Sequence, residues 1–229
     1  QNLPDWLVIM ASVQSADKLA GEALALMRSE QETMERRRLR VTSEKVEVQT
    51  SLQRLLSYVQ VHGSDMSSAT LSQTEQLKLN YQQAEDKEQG ASALSEQLLV
   101  QTLEQTATLY DTVQQQADTL FMQAEKEFAE LEGLRKKVAE QLTALQSRIN
   151  GLNSQLINSG VTPSPLQRQL YTLSNSLPVL TSTDRDSLES ALTSLNSLEQ
   201  TLAEIESDAR REINTVQAER VRRTEERHY

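Results

Sequence analysis

At 229 residues and a formal net charge of −10, the chain lacks the basic surface with which a general nucleic-acid binder neutralises phosphates. It has no cysteine, which excludes disulfides, zinc–thiolate sites and thiol catalysis, and it fits a reducing or an oxidising compartment equally well. Only 3% of residues are aromatic, and Gln, Leu, Glu, Ser and Thr abound, a profile of coiled coils and elongated bundles rather than of a large spherical core.

The first predicted helix covers residues 4–61, starting at Pro4-Asp5, where Pro suits the first helical position and the acid suits the N-terminal dipole. Along it Trp6, Val13, Ala20, Met27, Met34, Val41, Val48 and Leu55 recur every seven residues and are all apolar. Such a repeat turns one helix face toward another helix. The companion positions four residues on are Met10, Asp17, Leu24, Gln31, Arg38, Lys45, Leu52 and Val59. They are polar from Gln31 to Lys45, which weakens that stretch but sets register or leaves room for a partner. Trp6, Leu7, Val8, Ile9 and Met10 are apolar on every side of the helix, so more than one neighbour must cover them.

The segment from His62 to Ser68 reads as a turn with Gly63 as the helix stop, and Ser72 with Glu75 as a capping box for the next helix. A long helix is expected over residues 67–158, either continuous or broken near 90–103, where the apolar spacing slips by five between Leu98 and Leu103. Beyond the slip the repeat is cleanest: Leu103, Tyr110, Ala117, Ala124, Leu131, Val138, Leu145 and Leu152, with apolar companions at six of eight positions. Gly160 and Pro163 mark a stop. Ser164, Pro165 and Gln167 form a capping signature for a short helix over 164–178, ended by Pro178. Thr181 to Asp184 restarts the chain as a capped helix over 183–227, built on Leu188, Leu192, Leu195, Leu202, Ala209, Ile213 and Val216.

The expected fold is therefore all-α: an elongated antiparallel bundle in which two staggered hairpins share a long central helix, within a single elongated domain spanning residues 1–229. Two-stranded packing buries little per residue, so a third helix or a partner chain is expected along much of it.

Motifs for chemistry are missing. His62 lies at a turn and His228 at the penultimate position, neither beside a nucleophile; Glu225 and His228 form a single Glu-x-x-His pair without the further carboxylates a di-metal site needs. There is no glycine-rich nucleotide loop, so no enzyme activity, cofactor or metal is expected. No stretch reaches the ~20 apolar residues of a membrane span, and no secretory leader is recognisable. Arg36, Arg37, Arg38 and Arg40 form a basic cluster whose simplest reading is a solvated face balanced by Glu30, Glu32, Glu35 and Glu44, with Arg38 the exception because it falls on the seam. The mixed-charge run from Arg210 to Arg227 reads as an exposed helix end.

The preferred function is a non-enzymatic structural or scaffolding coiled coil that joins copies of itself or other helical proteins, without nucleic acid. Its interface candidates are Trp6, Leu7, Val8, Ile9, Met10, Met27, Met34, Arg38 and Val41. The alternatives are a helical sensor region of a larger membrane receptor and a secreted coiled-coil component of the needle-tip or translocator kind. The compartment is open, with a cytoplasmic or cytoskeletal setting preferred.

Overall fold

The computed structural model describes residues 3–91, 93–161, 164–180 and 182–226. Among them every regular element is helical: α1 (Leu3–His62), a single 3-10 turn (Gly63–Asp65), α2 (Ser68–Ala91), α3 (Glu96–Asn158), α4 (Pro165–Asn175) and α5 (Arg185–Glu226). The all-α bundle expected from the heptads is what forms. The chain divides into two compact units, Gln1–Glu125 and Lys126–Tyr229, with α3 contributing to both.

Unit 1 is a three-helix bundle. Lys45 meets Glu88 and Gln49 meets Tyr81, so α2 runs antiparallel to α1. Arg37 pairs with Glu104, Arg54 with Asp118, and the Tyr58 ring lies edge-on to Phe121 at 5.2 Å, so α3 returns parallel to α1. The long helix expected over 67–158 is thus two helices. Its break falls after Ala91, where Ala93 N–H donates to Gly90 C=O and Leu94 N–H to Ala91 C=O. The five-residue slip in the apolar spacing lies just beyond the reversal, inside α3: Leu98 is exposed, and Leu99, four residues before Leu103, packs on the core instead. The expected Ser72–Glu75 capping box is not used, because α2 begins four residues earlier; the Ser67 hydroxyl accepts from Thr70 N–H at 3.2 Å and caps it. Gly63 follows the end of α1 without a positive φ.

The core of unit 1 joins Val41, Val48 and Leu55 of α1 to Leu77 and Ala84 of α2 and to Leu103, Tyr110, Val113 and Ala117 of α3. Each fully buried Leu or Val contributes about 1.5–3 kcal/mol relative to exposure. Three stripes of α1, centred on Val48, Lys45 and Glu44, face α2 and α3. The third helix that a two-stranded seam lacked is therefore α2.

Unit 2 is built on the remainder of α3. Arg185 pairs with Glu130, Gln141 bonds Asn196, and Arg148 pairs with Glu199 and Glu206, so α5 runs parallel to α3 and not back along it. The return stroke is made by α4 and the non-helical segment after it. A non-helical residue advances up to ~3.3 Å against ~1.5 Å in a helix, so a few such residues cover the distance. The turn after α3 is a Schellman motif: Val161 N–H donates to Leu156 C=O at 3.0 Å and Gly160 N–H to Ile157 C=O at 3.0 Å, with Gly160 at φ 73°. Ser164, Pro165 and Gln167 cap α4 as their spacing predicts. Pro163 and Thr181 lie outside the described residues. Asp184 caps α5 by accepting from Ser187 N–H at 2.8 Å. Contacts from the Ser182 hydroxyl and from Ser187 hold its carboxyl down at about 2.

All eight positions of the second heptad set are buried, from Leu103 to Leu152. Of the first set, Val41, Val48 and Leu55 are buried and the five before them are not.

Candidate interaction surface

The departure of α1 from the bundle defines the surface. From Trp6 to Thr33 every residue is exposed; Met34 is the first that is half-buried. Trp6 is 63% exposed, and Leu7, Val8, Ile9, Met10, Val13, Leu19, Leu24, Leu26 and Met27 range from 48% to 66%. This stretch runs about 42 Å as a single helix. Its apolar side chains continue the stripes that α2 and α3 cover farther along: Trp6, Val13, Ala20 and Met27 in line with Val41 and Val48, Met10 and Leu24 beside them, and Ile9, Ala16 and Ala23 on the other flank.

The sequence-based candidates thus separate. Trp6, Leu7, Val8, Ile9, Met10 and Met27 lie on the exposed stretch, and Met34 stands at its foot. Val41 is 2% exposed and packs inside unit 1, so its seam position is satisfied within the chain. Arg38 is exposed and, among the described residues, makes no ion pair. The other arginines of its cluster are balanced: Arg36 by Glu32, Arg37 by Glu104, and Arg40 by Glu44.

The foot of the exposed stretch borders an open groove of about 690 Å³ lined by Gln31, Met34, Glu35, Arg38, Leu39, Thr42, Leu94, Glu96 and Leu99. It lies where α2 has ended and α3 is beginning, so α1 has one neighbour fewer there. Leu39 and Leu94 remain exposed at its rim.

One polar cluster locks the register of the bundle behind this surface. Lys45 Nζ lies 2.8 Å from Glu88 Oε2 and 3.3 Å from Glu85 Oε1. Tyr110 Oη donates to Glu88 Oε2 at 2.7 Å, Tyr81 Oη donates to Glu85 Oε1 at 2.8 Å, and Gln49 Nε2 donates to Tyr81 Oη at 2.8 Å. Six residues from three helices are bound into one network. The hydrogen bond to Glu88 holds the Lys45 ammonium above its ordinary range. Burial pushes the Glu88 carboxyl up, but the bonds from Lys45 and Tyr110 outweigh it and the net shift is downward. Burial, then the Glu88 carboxylate, drives the Tyr110 phenol far up. Lys45 was legible as a polar seam position; Glu85 and Glu88 were not, because isolated acids on a helix carry no sign of a buried partner.

In unit 2, Arg148 holds Glu206 through Nε and Nη2, each at 3.1 Å, and Glu199 through Nη1 at 3.0 Å. This clamp fixes α3 against α5. The His62 ring lies 4.6 Å from that of Tyr58, tilted by 45°, and His228 lies outside the described residues. Among the described residues no three His, Asp or Glu side chains converge on a metal position, and no helix is long and apolar enough to cross a membrane.

No family model, no curated protein and no solved structure matches this chain.

Proposed function

We propose that the chain is a non-enzymatic helical assembly module that docks on helical protein surfaces through residues 6–34 of α1. The observation that carries this reading is the run of exposed apolar side chains from Trp6 to Met27, in phase with the stripe that packs internally from Val41 onward. An isolated helix is marginal in water, and most helical stability in proteins comes from packing an apolar face. A stretch with that face open is incomplete until another helix covers it. Large exposed apolar patches mark interaction sites for the same reason. The network around Lys45 serves this role indirectly, by holding the three helices of unit 1 in one register behind the docking stretch.

Photo-crosslinking tests the proposal. A photoreactive residue in place of Val13 or Leu24, introduced into the chain in its source cells, is expected to yield discrete protein adducts. The same residue in place of the exposed Thr108 or Tyr171 is expected to yield none. Equal labelling at all four positions, or none at any, would overturn the assembly reading.

A further inference from the structure

We propose that the occupant of the exposed α1 stretch is the same stretch of a second copy of this chain, laid antiparallel and fully overlapped, with each Trp6 seated at the foot of the other. The inference rests on the assembly reading and adds the identity of the partner.

Three observations converge. The first is charge. Asp17 is the one acid among the apolar seam positions from Trp6 to Met34, and Arg28 flanks the same side of the helix; neither has an ion pair among the described residues. In a parallel pair Asp17 would face its own copy, placing two carboxylates together. In an antiparallel pair centred on position 22, residues equidistant from that point come level. Asp17 then falls within one residue of Arg28 of the second copy, on the flank the two helices share, and the pairing occurs twice by symmetry.

The second is the shape of the foot. The same register brings Trp6 level with Arg38 and Met10 level with Met34 of the second copy. There the groove of about 690 Å³ offers Leu94 and Leu99 beside α1. A tip apolar on every side needs more than one neighbour, and here it would have the opposing α1 and the α2–α3 turn. Trp6 would lie against the Arg38 guanidinium, which has no ion pair among the described residues and suits stacking on an indole face. The all-round apolar tip, the open groove and the unbalanced Arg38 thereby have one explanation.

The third is burial. Full overlap covers the seam side chains of about 30 residues on each copy, along a stripe continuous with the one α2 and α3 cover in unit 1. Near the crossing point stand Ala20, Gly21 and Ala23, and the space a side chain at Gly21 would enter is open. Small residues there let the two backbones approach.

Sedimentation equilibrium over about 0.1–200 µM, combined with single cysteines in a chain that has none, tests this. The mass is expected to rise reversibly to twice 25.8 kDa. Gly21→Cys is expected to be captured as a dimer by a short bis-maleimide, since the two copies of residue 21 lie a few ångströms apart along the axis. Val13→Cys is expected not to be, since its copies lie about 27 Å apart. Asp17→Arg should weaken association roughly tenfold or more, by opposing Arg28. Asp17→Arg with Arg28→Asp should restore it; both sites are exposed, and an unchanged circular dichroism spectrum of each variant checks folding.

A monomer throughout the range, capture through Val13→Cys as readily as through Gly21→Cys, or no rescue by the double swap would each overturn the inference. If the chain is a monomer while photo-crosslinks to a different protein persist, the self-pairing fails and the assembly reading stands. Absence of both removes both.

Discussion

Tyr110 on α3 donates its phenol proton to Oε2 of Glu88 on α2 at 2.7 Å, the same oxygen that receives Lys45 of α1 at 2.8 Å. One carboxylate oxygen therefore joins the three helices of unit 1. Tyr110 is fully buried while Glu88 and Lys45 are half-buried, so a slip of register would leave the Tyr110 hydroxyl unpaired at a cost of about 1–3 kcal/mol.

Raising the pH should loosen unit 1 before unit 2. Tyr110 and Lys45 both have folded values above their ordinary ones. Their contribution is fully present below about pH 10, near the unfolded values of Tyr and Lys, and is lost as pH rises through the folded values. Glu88 works in the opposite direction: its folded value is lowered, so its contribution is present above about pH 4.3 and fades as pH falls through the folded value. Thermal unfolding followed by amide exchange from pH 8 to 11 should show unit 1 amides losing protection first. Glu88→Gln should cost about 1–2 kcal/mol at neutral pH and reduce the dependence at both ends. A pH response identical in the two units would contradict the network's role.

Gly160→Ala should destabilise unit 2 by about 1–2 kcal/mol, because an L side chain at φ 73° is strained; the added methyl meets only the guanidinium end of the exposed Arg220, which can swing aside. Adding Arg220→Ala should therefore leave the cost nearly unchanged, since it is backbone strain. Denaturant midpoints for the single and double variants check this; a neutral Gly160→Ala would exclude the Schellman turn.

Leu145→Asp should unfold or nearly unfold unit 2, since it places an unpaired charge in a core where Leu145 is 3% exposed. Leu202→Ala, which only opens a cavity in the same core, should cost about 2–5 kcal/mol. Unit 1 amides should keep their protection in both variants if each unit holds its own core. Unchanged melting of Leu145→Asp would refute the packing of α3 in unit 2.

The heptads from Leu103 to Leu152 made most of α3 legible, because a long strict apolar repeat has few other solutions. The caps at Ser164 and Asp184 were equally plain, since capping chemistry is local. What escaped was pairing over distance. The slip between Leu98 and Leu103 fitted a phase change or a break; the chain reverses before it, after Ala91, and the slip itself is only the exposed Leu98 standing beside the core residue Leu99. The direction of α5 was hidden for a related reason: the return stroke uses a non-helical segment with no periodicity to betray it. At the candidate surface, Trp6 to Met10 stood out through apolar residues on all sides. Val41 shared their repeat, but nothing local distinguished a seam position filled by α2 and α3 from one left open.

The most direct measurement is amide hydrogen exchange along α1 as a function of chain concentration. Residues 41–59 should be protected at every concentration by the core of unit 1. Residues 6–33 should exchange near the rate of an unpacked helix when the chain is dilute, and gain protection at least tenfold as it associates. Slow exchange across residues 6–33 in a chain that sediments as a monomer would contradict the claim that this stretch is completed by another chain.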